Sequence, residues 1–132
     1  MKRFVYQSLF FLFPIMVFLI GLEIYVRTEP NSFKTIAHYF EENKSDIEVL
    51  VLGSSHNQNG INPKYFTQKT ANISYGAQDI KIDSALVFSN LKEMKKLKTI
   101  IFEMDYHRMD VENEPDFYRY PWYYFYYDVE IY

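Results

Sequence analysis

The residues whose types could do chemistry stand together at 53–56, Gly-Ser-Ser-His. A serine hydroxyl is a weak nucleophile until a neighbouring base takes its proton. Donors aimed at the developing oxyanion then lower the barrier by roughly 3 kcal/mol for each good one. Ser55 is the candidate nucleophile; the competing reading is that it merely caps a helix. His56 is adjacent to it, and adjacent side chains diverge on a turn or helix. His56 is therefore expected to bind substrate or hold the loop rather than serve as the base. A second group, Asp105, His107 and Asp110, with or without His56, offers carboxylate and imidazole ligands to a divalent metal. Its spacing, Asp-x-His-x-x-Asp, matches no standard site, so no metal or other cofactor is expected. Residues 53–60 hold neither a Walker A loop nor a G-x-G-x-x-G phosphate turn.

The elements that must position these residues follow from periodicity. Residues 47–53, IEVLVLG, form an apolar run interrupted only by Glu48. Such a run reads as a strand buried on both faces, as in a parallel sheet, where ligands collect at the carboxyl ends of the strands. Gly53 lets the chain turn there without a Cβ penalty. Asn59-Gly60 and Asn62-Pro63 signal turns, so residues 57–66 read as a loop or short helix on the site side. Residues 70–75 read as a second strand, ending at Gly76. Gln78 or Asp79 caps a helix running to about Leu97, with Ile80, Val87, Leu91 and Met94 as its apolar stripe and lysines in its last turn. Residues 99–104, TIIFEM, read as a third buried strand. Strand, strand, helix, strand is the start of a parallel α/β sheet. Three strands and one helix cannot cover both faces of such a sheet, so residues 47–132 are expected to be the first part of a larger domain.

Ahead of this lie two further segments. Lys2 and Arg3 precede residues 4–22, whose only clearly polar members are Gln7 and Ser8. That run spans about 28 Å, close to the ~30 Å hydrocarbon thickness, and Pro14 is tolerable in a membrane helix. No small-x-small cleavage site follows, so residues 1–27 read as an uncleaved signal anchor rather than a removed signal peptide. The charges at residues 2 and 3 place the N-terminus in the cytoplasm and everything after Arg27 outside. Asn31 or Ser32 then caps a connecting amphipathic helix within residues 28–46, on which Phe33, Ile36, Tyr39 and Phe40 recur at helical spacing and His38 is a surface or partly buried histidine.

Composition closes off other classes. The 132 residues allow one small domain besides the anchor, and the net charge of −3 argues against a nucleic-acid surface. The absence of cysteine excludes disulfides, thiolate metal sites and a cysteine nucleophile. Aromatic residues are 20% of the chain, and ten of them fall within residues 117–132. That stretch suits buried core, a membrane interface or stacking on sugar rings, with core the first expectation.

With Gly53-Ser54-Ser55, Asn72 to Gly76 and residues 102–107 in view, the sequence resembles the SGNH (GDSL-like) hydrolase superfamily. It looks closest to the membrane-anchored branch that includes the D-alanyl-lipoteichoic-acid biosynthesis protein and the alginate O-acetyltransferases, which share the layout of an anchor followed by GSSH. The resemblance implies a flavodoxin-like three-layer parallel sheet in which the first strand lies between the second and third. It puts the nucleophile at Ser55, with Ser54 in place of the usual Asp, and an oxyanion donor at the Gly76 amide; an ordinary turn glycine is the alternative there. The strand tips at Ser55, Gly76 and residues 105–107 would then share one rim, with His107 able to reach Ser55 as a stand-in base and Ser54, His56, Asn59 and Asp105 as substrate contacts. The family's third block brings an Asn, absent here, and its Asp-x-x-His block is absent too, so this stretch alone is expected to be inactive. The implied activity is hydrolysis or transfer of acyl esters on a cell-envelope glycan or polymer outside the cytoplasm, with a membrane-bound O-acyltransferase as partner. A non-catalytic binding scaffold on the same fold is the alternative.

Overall fold

The computed structural model describes residues 2–110, 113–114 and 117–131, apart from the side chains of Val5, His107 and Asp110. It divides into two compact units, residues 1–31 and 32–132. The first is α1, Lys2–Thr28, a helix of 27 residues with Pro14 inside it. It is long and apolar enough to cross a membrane, and none of its apolar window is buried within the protein. Near its end Arg27 Nε donates to Glu23 Oε1 at 2.6 Å across one helical turn.

The second unit is a parallel α/β arrangement. Its elements in chain order are α2 (Ser32–Asn43), β1 (Val49–Leu52), α3 (Ser55–Gly60), β2 (Thr70–Asn72), α4 (Ile80–Asn90), β3 (Thr99–Phe102), α5 (Tyr106–Asp110) and α6 (Tyr120–Tyr127), with 3-10 turns at Lys44–Asp46 and Pro63–Tyr65. The sheet order is β2-β1-β3, and both pairs are parallel. Val49 lies opposite both Thr70 and Thr99, so the three strands run in step and their carboxyl ends form one rim. This is the order that the sequence resemblance implies.

The central strand is buried on both faces, as its apolar run requires: all four of its residues are buried. Leu50 and Leu52 join a core built from Phe33 and Phe40 of α2, Ile82 and Leu86 of α4, Ile73, and Tyr123 and Tyr127 of α6. Val49 and Val51 point to the opposite face by the twofold alternation of a strand, and they are buried too. The tyrosine-rich stretch therefore supplies core through one side of α6. Phe33 sits among the rings of Tyr75, Trp122, Tyr123, Tyr126 and Tyr127 at centroid distances of 4.9–5.7 Å. The other side of α6 is exposed at Tyr124 and Phe125.

Four expectations are corrected. The third strand is not buried: Thr99, Ile100 and Phe102 are exposed and Ile101 is half-buried, whereas the other edge strand, β2, is buried at Thr70 and Ala71. The stripe of α4 is rotated from the expected one. Ile82, Asp83, Leu86 and Asn90 face inward, whereas Leu91 is exposed. Polar Asp83 and Asn90 hid this face, since each is buried against a partner far along the chain, Arg108 and Lys44 respectively. The helix also ends at Asn90, so Lys92, Lys95 and Lys96 lie beyond it. Asp79 is its cap, accepting from the Ile82 amide at 2.8 Å, while Gln78 is buried and donates to Asp83 at 2.5 Å. On α2 the inward residues are Phe33, Ala37 and Phe40, and Tyr39 is exposed.

Candidate functional site

At the end of β1 the chain turns through Gly53, whose φ of 143° lies where side-chain-bearing residues are strained. A Cβ there would stand 2.5 Å from Glu103 Oε2 and 2.7 Å from Glu103 Cβ. Glycine is thus required twice, for the turn and for the close approach of the β3 tip. Ser54 follows in extended conformation as the N-cap of α3, and its hydroxyl accepts from the His56 amide at 3.4 Å. Ser55 is the first residue of the helix. Asn57 fastens α3 to β1 by donating to the Leu52 carbonyl at 2.7 Å. Asn72, at the end of β2, donates to the carbonyls of Asn57 (2.8 Å) and Ile61 (2.7 Å), which locks both ends of the α3 segment to the sheet.

Glu103, one residue past β3, collects the β3 side of the rim. Its Oε2 accepts from the Ser54 amide at 2.6 Å and its Oε1 from the Ser54 hydroxyl at 2.7 Å. His56 Nδ1 is 3.1 Å from the same Oε1 and 3.9 Å from Asp105 Oδ2. The Glu103 side chain is 8% exposed, whereas the His56 ring is 78% exposed. Burial alone would raise the Glu103 pKa, but the bonds from the Ser54 hydroxyl, the Ser54 amide and His56 outweigh it and hold the carboxyl below its ordinary range. Behind Glu103, Arg108 donates to its carbonyl at 2.9 Å and forms a buried ion pair with Asp83. Desolvation is the largest influence on Asp83 and leaves its pKa raised despite the Arg108 and Gln78 bonds. Tyr123 completes this buried chain, donating to Gln78 at 2.9 Å.

The β2 side of the rim is different. Ser55 is exposed, and its hydroxyl has no hydrogen-bond partner among the described residues. Gly76 lies beside it: a side chain begun at Gly76 would meet Ser55 Cβ at 3.9 Å, Gln58 Oε1 at 3.9 Å and Arg119 Nη1 at 3.8 Å. The Gly76 amide donates to Gln58 Oε1 at 3.0 Å, and its carbonyl accepts from Arg119 Nη1. The left-handed residue of this turn is Ala77, with φ of 61°, and Gly76 is not among the positive-φ positions.

The candidates named from sequence are therefore distributed as follows. Ser54, His56 and Asp105 come together around Glu103, and Ser55 comes together with Gly76. Asn59 is spent locally, its amide donating to the Ser55 carbonyl at 2.8 Å. The side chains of His107 and Asp110 lie outside the described residues; the backbone of both belongs to α5. Ligand atoms of His56, Glu103 and Asp105 lie within 4.8 Å of one another, so among the described residues these three could hold a divalent cation, in exchange for bonds Glu103 now accepts. Sequence reading missed Glu103, Gln58 and Arg119. A carboxylate just past a strand, level with the serine turn, was the available signal for Glu103; Gln58, one helical turn after Ser54, and Arg119 gave none. A separate groove of about 500 Å³, lined by residues of α2, β2 and the Pro63–Tyr65 turn, contains none of the candidates.

Fold and rim together define the class at the level of a parallel α/β unit carrying a serine turn at its sheet's carboxyl edge. Comparisons with protein-family models, curated proteins and solved structures return no match for this chain.

Proposed function

We propose that the protein is a membrane-anchored, extracytoplasmic esterase or O-acyltransferase of the SGNH-like type, acting on an acylated cell-envelope glycan or polymer through Ser55. The observation that carries this reading is the exposed Ser55, its hydroxyl without a hydrogen-bond partner among the described residues, at the end of a fully buried strand and near Gly76. Ser55 Oγ attacks the ester carbonyl as its proton passes to a base, for which His107 is the candidate in this stretch. Collapse of the tetrahedral intermediate expels the alcohol with a proton and leaves an acyl-serine. Water or an acceptor hydroxyl then takes the acyl group. For the Gly76 amide to donate to the oxyanion, Gln58 must first release it.

The apolar α1 and the basic Lys2 and Arg3 at its start support an anchor with a cytoplasmic N-terminus and an outer domain. A membrane-bound O-acyltransferase that delivers acyl groups through the bilayer is the partner that the sequence resemblance implies. A fluorophosphonate probe applied to the full-length protein in membranes should label wild type and leave Ser55→Ala unlabelled. Equal labelling of both, or none together with no acyl-ester turnover, overturns the reading. A reporter fused after residue 45 should be active only outside the cytoplasm.

A second reading is favoured by one observation: the His56 ring is turned onto Glu103, and among the described residues no base reaches Ser55. On that reading the rim binds glycan without turning it over, and the same probe experiment separates the two.

A further inference from the structure

The outer side of α6 carries rings where a solvated helix carries charges. From Tyr120 to Tyr127 the helix reads YPWYYFYY, without one charged residue. Tyr123 and Tyr127 are buried, whereas Trp122, Tyr124 and Phe125 are exposed, as is Tyr118 in the turn before the helix. Trp122 and Phe125 stand three residues apart and so are neighbours on one face. Tyr118 meets Trp122 edge-on at 6.3 Å, and Tyr124 meets Phe125 at 5.6 Å. Exposed apolar side chains are ordinary when scattered singly, but a cluster marks a surface that something covers.

What covers it follows from where the chain enters this unit. Phe33, the second residue of α2, packs against Trp122, Tyr123, Tyr126 and Tyr127. The entry point of the chain and the aromatic side of α6 are therefore neighbours within the unit. Thr28 ends α1 and Ser32 begins α2, with only residues 29–31 between. At full extension that connection reaches about 14 Å, so with α1 as the anchor the chain holds Ser32 within that reach of the membrane end, whatever the angle at the joint. Tyrosine and tryptophan collect in the interfacial layer of a bilayer, where an apolar ring and a polar tip are both satisfied. α6 itself contains no lysine or arginine, so its attraction to lipid needs no anionic headgroup.

We propose that the exposed aromatic side of α6 seats on the interfacial layer of the bilayer that α1 spans. The proposal rests on the anchor reading and not on the chemistry of Ser55. Arg119, the residue before α6, donates to the Gly76 carbonyl, so a seated α6 also fixes the height of the serine edge above the lipid.

Trp122 is the chain's single tryptophan, so its fluorescence reports this face alone. At 37% exposed, its ring is open to a quencher from water or from lipid. The full chain is reconstituted in phosphatidylcholine vesicles, with and without phosphatidylcholine carrying a nitroxide on its headgroup. The nitroxide should quench Trp122, acrylamide in the water should quench it weakly, and added salt should change neither. Phe125→Glu charges the outer side and leaves the buried tyrosines alone. It should lower the nitroxide quenching at least about twofold and raise the acrylamide quenching. If it does not fold, as judged by aromatic circular dichroism, Phe125→Ser decides. Trp122 open to acrylamide and untouched by the nitroxide overturns the proposal, as does equal nitroxide quenching in wild type and the folded variant. Protection from both quenchers means that a second copy covers the face, and overturns it too. Alkaline carbonate extraction tests the anchor separately. A chain that stays in the membrane with Trp122 unquenched keeps its anchor and loses this surface. A chain that washes out although the nitroxide quenched Trp122 keeps the surface and loses the anchor.

Discussion

The turn after β1 divides the rim into two halves that share one backbone and differ in every other respect. On the β3 side Ser54 and His56 are bound to Glu103, and the carboxylate accepts three bonds. On the β2 side the Ser55 hydroxyl is unbonded among the described residues, and Arg119 is short of an acceptor for its buried Nε. One step along the chain separates the two serines. Ser54 is extended and caps the helix, and Ser55 is already helical, so their side chains leave in different directions. The difference teaches that polar content alone does not mark a reactive site. A saturated cluster is a clamp, whereas a hydroxyl left without a partner at the surface, as at Ser55, is one a ligand can complete.

The sharpest way to break the contrast is at the residue both halves depend on. Gly53→Ala places a methyl group into Glu103 in a strained backbone region, and it should cost about 3 kcal/mol or more. Urea denaturation of the full chain measures this; a loss below about 1 kcal/mol would show that the clamp yields easily. Next comes Glu103→Gln, which turns one acceptor into a donor facing Ser54 and should cost about 1–3 kcal/mol. The same variant tests the pH dependence. Because the Glu103 pKa is lowered on folding, its contribution is present above the unfolded value of about 4.3 and is lost as pH falls through the folded value. Glu103→Gln should therefore show a flatter loss of stability below about pH 4 than wild type. A parallel pair of curves would sink that assignment.

Smaller effects compare the serines directly. Ser54→Ala should cost about 1 kcal/mol, through the lost cap and the lost bond to Glu103. Ser55→Ala should change stability by less than about 0.5 kcal/mol, since its hydroxyl has no partner among the described residues. Equal costs at the two positions would mean that the halves are not distinct.

Much of the fold was legible locally. The apolar run of β1 and the Asn62-Pro63 turn each carry their signal within a few residues and were placed, and the cap of α4 was narrowed to Gln78 or Asp79, of which Asp79 holds it. The stripe of α4 was misplaced because Asp83 and Asn90 are polar, and nothing nearby announces the buried Arg108 and Lys44 that satisfy them. In the site, Ser55 and Gly76 were visible as types at strand ends. Glu103 lay inside the run read as the third strand and was given no role, because its partners lie 47–49 positions away.

By itself the sequence determined an apolar N-terminal helix, a fully buried central strand and a glycine turn offering two serines, since periodicity, caps and glycine conformations are local properties. Tertiary structure decided which serine is tied down and which is presented, what faces β3, and where Arg119 delivers its charge. Those outcomes depend on strands paired in step and on α6 folding back over Phe33, contacts that exist only when residues far apart in the chain are brought to one edge.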